Sequence, residues 1–138
     1  MPTLDPDVRT LLEGPNFVHV ATLMPDGSPH AVAIWAGVED GPDGDHIVFF
    51  TSAGSRKAKN LDADGRVALS VTDSDNGYRT AWVRGRVVEK RVDDLATMHR
   101  LSHVYTGQPY PGDTNVVYVI EPERWKFEDL PFKHEPGA

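Results

Sequence analysis

Residues 66–91, RVALSVTDSDNGYRTAWVRGRVVEKR, set two strand-like runs on either side of a short polar turn. In the first run Val67, Leu69 and Val71 share one face. A period of two suits a strand and leaves a helix without an apolar stripe. The turn SDNG carries chain-reversing residues, so the two runs pair as a hairpin. The pattern recurs along the chain. FVHVATL (17–23) puts Phe17, His19, Ala21 and Leu23 on one face and Val18, Val20 and Thr22 on the other, a strand largely covered on both sides. MPDGSP then turns the chain into HAVAIWAGV (30–38), and EDGPDGD (39–45) turns it again into HIVFFTS (46–52). NVVYVIEPE (115–123) and RWKFED (124–129) close the sheet. Gly85, inside the long run 78–91, marks a bulge or a close backbone approach.

Helical signals are few. Asp5 caps a short helix over 5–13, with Pro6 at its first position and Gly14-Pro15 at its end. A second helix starts at Ser55. A third covers 92–105, with Val92, Leu95, Met98, Leu101 and Val104/Tyr105 as its buried stripe. YTGQPYPGD reads as a rigid loop, and the tail 131–138 as loose. Six strands at hairpin spacing with few helices predict a mostly β (α+β) fold. This is a six-stranded antiparallel barrel, closed so that no sheet edge is exposed, with helices packed on its outside.

The length of 138 residues allows one domain with a real core. A formal net charge of −7 argues against general binding to nucleic acid or to an anionic membrane. With no cysteine there is no disulfide and no thiolate zinc site. The N-terminus lacks the basic and apolar regions of a signal peptide, and no apolar run reaches the length of a membrane span. The expected location is the cytoplasm.

Against that acidic background FFTSAGSRKAKNL (49–61) stands out. A helix beginning at Ser55 carries Arg56 and Lys57 in its first turn, the end where the helix dipole favours anions. A solvated basic helix accounts for the cations taken alone. The conflict with the dipole turns the reading towards a bound anion. Free N–H groups at a helix start bind phosphate oxygens. Arg56 adds a forked donor, Lys57 a point charge, and Thr51 and Ser55 hydroxyls. Trp35, Tyr78 and Trp82 lie on strands beside Ala33, Ala36 and Ala81, an arrangement with room for a flat ring, although ordinary barrel packing explains Trp82 as well. Phosphate at one end and a flat ring at the other describe a flavin-like nucleotide. His99 and His103 have the i,i+4 spacing of metal ligands but no third ligand nearby, so the weight falls on exposed or interface histidines. Asp73, Asp75, Asp93 and Asp94 sit in turns and helix starts and are explained there.

The succession VATLMPDGSPHAVAIWAGV, VFFTSAGSRKAKNLDADGRVALSVTD, YRTAWVRGRVVE and YTGQPYP resembles the pyridoxamine 5′-phosphate oxidase-like superfamily over about residues 15–125. It looks most like the actinobacterial branch of flavin/deazaflavin oxidoreductases that use coenzyme F420. The resemblance implies a split β-barrel of Greek-key type, like the FMN-binding split barrels, and a homodimer with its cofactor in a groove between subunits. By motif position, Arg56 and Lys57 would hold the cofactor phosphate beside Ser55, with Phe50, Thr51 and Ser52 at the strand end. His30 to Ala33 would run along the ring or its tail. Tyr78, Arg79, Thr80 and Ala81 would come from the neighbouring strand or the other subunit. Trp35 and Tyr110 would line the substrate pocket. Flavin mononucleotide members carry Arg and Lys in the strand matching HAVAIW, and neither stands there in this chain. That favours F420 over FMN. The implied activity is hydride transfer between F420 and a small unsaturated or conjugated acceptor, with no side chain assigned as obligate acid or base. Arg79 or Tyr78 are the candidates to polarise the acceptor. The alternatives are an FMN-dependent oxidase or reductase, a non-catalytic F420 carrier and, less favoured, a haem-handling member.

Overall fold

A computed structural model describes residues 3–112 and 115–137. It contains α1 (Pro6–Glu13), β1 (Val18–Leu23), β2 (Pro29–Ile34), β3 (Ala36–Gly41), β4 (Gly44–Thr51), α2 (Arg56–Ala63), β5 (Arg66–Asp73), β6 (Asn76–Val92), α3 (Leu95–Thr106) and β7 (Val116–Asp129). The strands form one antiparallel sheet in the order β2-β1-β5-β6-β7-β4-β3. The mostly β, antiparallel split-barrel class read from the sequence is the class observed.

Three details differ from the sequence reading. The sheet has seven strands because the run 30–38 breaks at Trp35 into β2 and β3, which form the two ends of the sheet. At the break the Ala36 N–H donates to the Tyr105 hydroxyl at 3.2 Å. With β2 and β3 at the two ends, the barrel is split between them rather than closed. The two runs 115–123 and 124–129 are one continuous strand, β7, whose register against β6 shifts at Arg84/Gly85. A Cβ at Gly85 would collide with the Glu121 carbonyl, so the close approach expected there is real.

Alternation decides what the barrel encloses. Ile47 and Phe49 of β4 and Val116, Tyr118 and Ile120 of β7 point inward with Val18, Val20, Leu69, Val71 and Val83. Val8, Leu11 and Leu12 of α1 and Ala58 and Leu61 of α2 join this same interior cluster, so these two helices do not simply flank the barrel. The opposite face of β4 and β7, Val48, Val117 and Val119, is covered by Leu101 of α3. Gly37 makes this possible, since a Cβ there would overlap Leu101. The stripe of α3 is narrower than expected: Met98 and Leu101 are buried, while Leu95 and Val104 are exposed and Val92 belongs to β6. Thr97 and Ser102 take the remaining buried positions. The helix starts at Asp94, whose carboxylate accepts from the Thr97 N–H at 3.1 Å. Just after β7 the Leu130 N–H donates to the Tyr78 carbonyl (3.0 Å), and Phe132 packs on Tyr78 (centroids 5.2 Å apart). Among the described residues no helix is long and apolar enough to cross a membrane.

Candidate functional site

The site is built around the junction of β4 and α2. β4 ends at Thr51, and the Ser55 N–H donates back to the Ser52 carbonyl at 3.0 Å, closing a tight turn. Ser55 then caps α2. Its Oγ accepts from the Ala58 N–H at 3.2 Å and lies 3.0 Å from Thr51 Oγ1. The N–H groups of Arg56 and Lys57 have no partner among the described residues, as a helix start requires. Two buried contacts fix the helix. The Asn60 amide donates to Thr22 Oγ1 on β1 at 3.0 Å. The Tyr118 hydroxyl meets Asp62 Oδ1 at 2.9 Å and the Ala58 carbonyl at 3.2 Å. Burial, helped by the Asp62 carboxylate, pushes the Tyr118 phenol far above its usual range and keeps it a donor.

Beside this junction lies an open cavity of about 310 Å³, lined by Phe17, Ala33, Ile34, Trp35, Phe50, Thr51, Ser52, Lys57, Tyr110 and Asn115. The two cations diverge. Lys57 is half-buried and lines the cavity, and burial lowers its pKa from the ordinary lysine value. No carboxylate among the described residues pairs with it. Arg56 is exposed, and its guanidinium donates to Asn60 Oδ1 at 3.3 Å. The far wall is aromatic. Phe50 meets Tyr110 edge-on (4.9 Å, 77°) and Trp35 likewise (6.1 Å, 74°). Trp35 is backed by Tyr105, stacked at 5.3 Å and 12°. The Tyr105 hydroxyl donates to the Asn16 carbonyl at 2.7 Å, and burial raises its pKa, so it too stays neutral.

Of the residues singled out from the sequence, the cavity brings together Ala33, Trp35, Phe50, Thr51, Ser52, Lys57 and Tyr110. Ser55 stands just behind, capping the helix. His30 is half-buried on β2 opposite Thr22, away from the cavity. Tyr78 packs with Phe132 and His134. Arg79 pairs with Asp129 (2.8 Å) and Asp73 (3.5 Å) over the Phe127 ring. Thr80 is half-buried beyond it, and Ala81 faces the barrel core. None of these four lines the cavity of its own chain. Phe17, Ile34 and Asn115 line it without having been singled out. Phe17 and Ile34 read as ordinary strand residues. Asn115 had a faint signal, a polar residue opening an apolar run. His99 is not poised as a metal ligand, because its Nδ1 accepts the Tyr110 N–H at 3.0 Å.

The chain is thus a split barrel with a cationic, aromatic-walled cleft at one strand–helix junction. The sequence profile described as pyridoxamine 5′-phosphate oxidase matches residues 4–129, and the chain belongs to that family. A pyridoxine/pyridoxamine 5′-phosphate oxidase from Rubrobacter xylanophilus is 33% identical over 88 residues, which is 62% of this chain and 39% of that protein. The chain thus matches well under half the length of that relative. Among solved structures, an F420 reductase superposes with a TM-score of 0.76 at 33% identity, covering 89% of this chain and 98% of the other. The conserved hypothetical protein Rv2991 from Mycobacterium tuberculosis superposes with a TM-score of 0.73 at 27% identity, covering 100% and 95%.

Proposed function

We propose that the protein is an F420-dependent reductase that works as a homodimer on a small unsaturated or conjugated organic acceptor. The observation that carries this reading is Lys57, a half-buried cation without a carboxylate partner among the described residues, facing an aromatic-walled cavity. The residues suit a phosphorylated, flat-ringed cofactor. Lys57 and the free N–H groups at the start of α2 hold a phosphate. Trp35, Phe50 and Tyr110 wall off a ring and exclude water from it. When bound, the deazaflavin supplies the hydride, and the protein supplies position and shielding. Arg56 is not in the lining of the cavity, and its guanidinium is bonded to Asn60 instead.

The similarity to an F420 reductase over nearly the whole of both chains supports F420, as does the lack of Arg and Lys along β2. FMN is the second reading, favoured by the similarity to a pyridoxine/pyridoxamine 5′-phosphate oxidase. Native mass spectrometry of the purified protein with F420 and FMN in competition separates the two. The expected result is a dimer carrying F420. Retention of FMN in preference to F420 turns the assignment to the second reading, and failure to bind either removes both.

A further inference from the structure

Tyr110 stands between two cavities. One is the 310 Å³ cleft just described. The other, of about 460 Å³, is bordered by Ser102, Thr106, Gln108 and the segment Pro109–Pro111, and shares Trp35 and Tyr110 with the first. The strap 107–112 that carries Tyr110 hangs from α3: the Gly107 N–H donates to the His103 carbonyl at 2.9 Å and the Gln108 N–H to Thr106 Oγ1 at 3.1 Å, and two further bonds hold its outer part. Ser102 Oγ donates to the Gln108 carbonyl at 2.7 Å, and the Tyr110 N–H donates to His99 Nδ1 at 3.0 Å. Pro109 and Pro111 have no N–H, so Tyr110 supplies the only backbone donor of Pro109-Tyr110-Pro111. That donor needs an imidazole nitrogen with a free lone pair. A protonated imidazole carries hydrogen on both nitrogens and accepts nothing.

We propose that His99 is a proton-operated latch on the Tyr110 strap. Neutral His99 holds Tyr110 against Phe50 and Trp35 and keeps the two cavities apart. Protonated His99 turns a donor towards the Tyr110 N–H, releases the strap and opens one cavity into the other. The pocket's grip on its ligand then weakens as pH falls. That last step rests on reading the 310 Å³ cleft as a cofactor site, and the strap itself does not. Other titratable or charged groups on the packed elements include Arg100, His103 and Tyr105 on α3, Glu39 and Asp40 on β3, Asp45 and His46 on β4, Tyr118 and Glu121 on β7, and Tyr110 itself. Glu39 is held by Arg91 (2.6 Å) and Arg100 (3.8 Å). No carboxylate among the described residues forms an ion pair with His99.

The test is amide hydrogen exchange at Tyr110 by NMR between about pH 8 and pH 5, the interval in which imidazoles change charge. The full-length wild type is compared with His99→Gln, whose side-chain oxygen accepts at every pH in that interval. After correction for intrinsic exchange, protection in the wild type should fall about tenfold, the worth of one hydrogen bond, and stay level in His99→Gln. His103→Gln and His46→Gln should keep the wild-type profile. Level protection in the wild type, or an equal fall in His99→Gln, overturns the latch. Titrations with F420 and with FMN at both ends of the range read the ligand half, and affinity should follow protection. If neither probe binds at either pH while the amide result holds, the cofactor reading fails and the latch stands.

Discussion

At the scale of single residues, the neighbours Arg56 and Lys57 do different things. Lys57 lines the cleft and Arg56 lies outside it, bonded to Asn60. Lys57→Ala should weaken binding of a phosphate-bearing cofactor by about ten- to a hundredfold, the worth of a charge-assisted hydrogen bond. Arg56→Ala should cost only about two- to threefold, as a solvent-screened charge does. Equilibrium titration of both variants checks the contrast, and equal losses would put Arg56 in the cleft when ligand is bound. Lys57 also links binding to stability. Burial lowers its pKa in the folded chain, so between the folded and unfolded values the unfolded chain binds the extra proton. Stability therefore rises with pH across that interval, and the full cost of the buried charge is present below it. Lys57→Met removes the charge and keeps the stem. It should melt about one to two degrees higher at neutral pH while losing anion affinity. A lower melting temperature would mean that the ammonium has a stabilising partner.

At the scale of elements, the caps and glycines set how tightly the pieces dock. Ser55→Ala removes the cap of α2 and the contact with Thr51 together and should cost about 0.5–2 kcal/mol in denaturant unfolding. Gly37→Ala places a methyl in the space of Leu101, a side chain that can shift, and should cost about 1–3 kcal/mol. Gly85→Ala meets the Glu121 carbonyl, backbone that cannot move without breaking the β6–β7 ladder, and should cost more than Gly37→Ala. The reverse order would place the slack in the sheet rather than in α3. The sequence reveals what is local in these elements. Alternation shows the strands, Asp5 and Ser55 show the helix starts, and Gly85 shows a close approach. It hides what depends on distant partners. At the corner by Trp35, Tyr105, 69 residues beyond Ala36, accepts from the Ala36 N–H and stacks on the indole. The same holds for the site. Lys57 and Thr51 are visible in their motif, whereas Asn115 reaches the cleft only because β7 pairs with β4.

At the scale of the whole molecule, the cleft in one chain is small and open, at the low end of the range for ligand pockets, and its rim carries an exposed Phe17. Next to it the outer face of β2-β1-β5-β6 carries small residues around a shallow hollow bordered by His19, Trp82 and Arg84. The register aligns Ala33, His19, Ser70 and Trp82 in one row and Ala31, Ala21, Ala68 and Arg84 in the next. Ala33 belongs to both the first row and the cleft, so a body seated on this face also covers the cleft mouth. If that body is a second copy, its Tyr78 and Arg79, which do not line the cleft of their own chain, come within the class of residues able to finish it. A dimer of this kind buries the small-residue face and needs close approach, so one long charged side chain there should prevent it. Ala31→Glu and Ala68→Glu should each give a monomer by light scattering, with the fold intact by circular dichroism, because both positions are solvent-side on their strands. Loss of the second wall should reduce cofactor affinity about tenfold or more in the same variants, since a half-open pocket leaves the ring in water. Variants that stay dimeric would move the seam to another face. Variants that become monomeric yet bind cofactor as tightly as wild type would show that one chain alone makes the whole pocket.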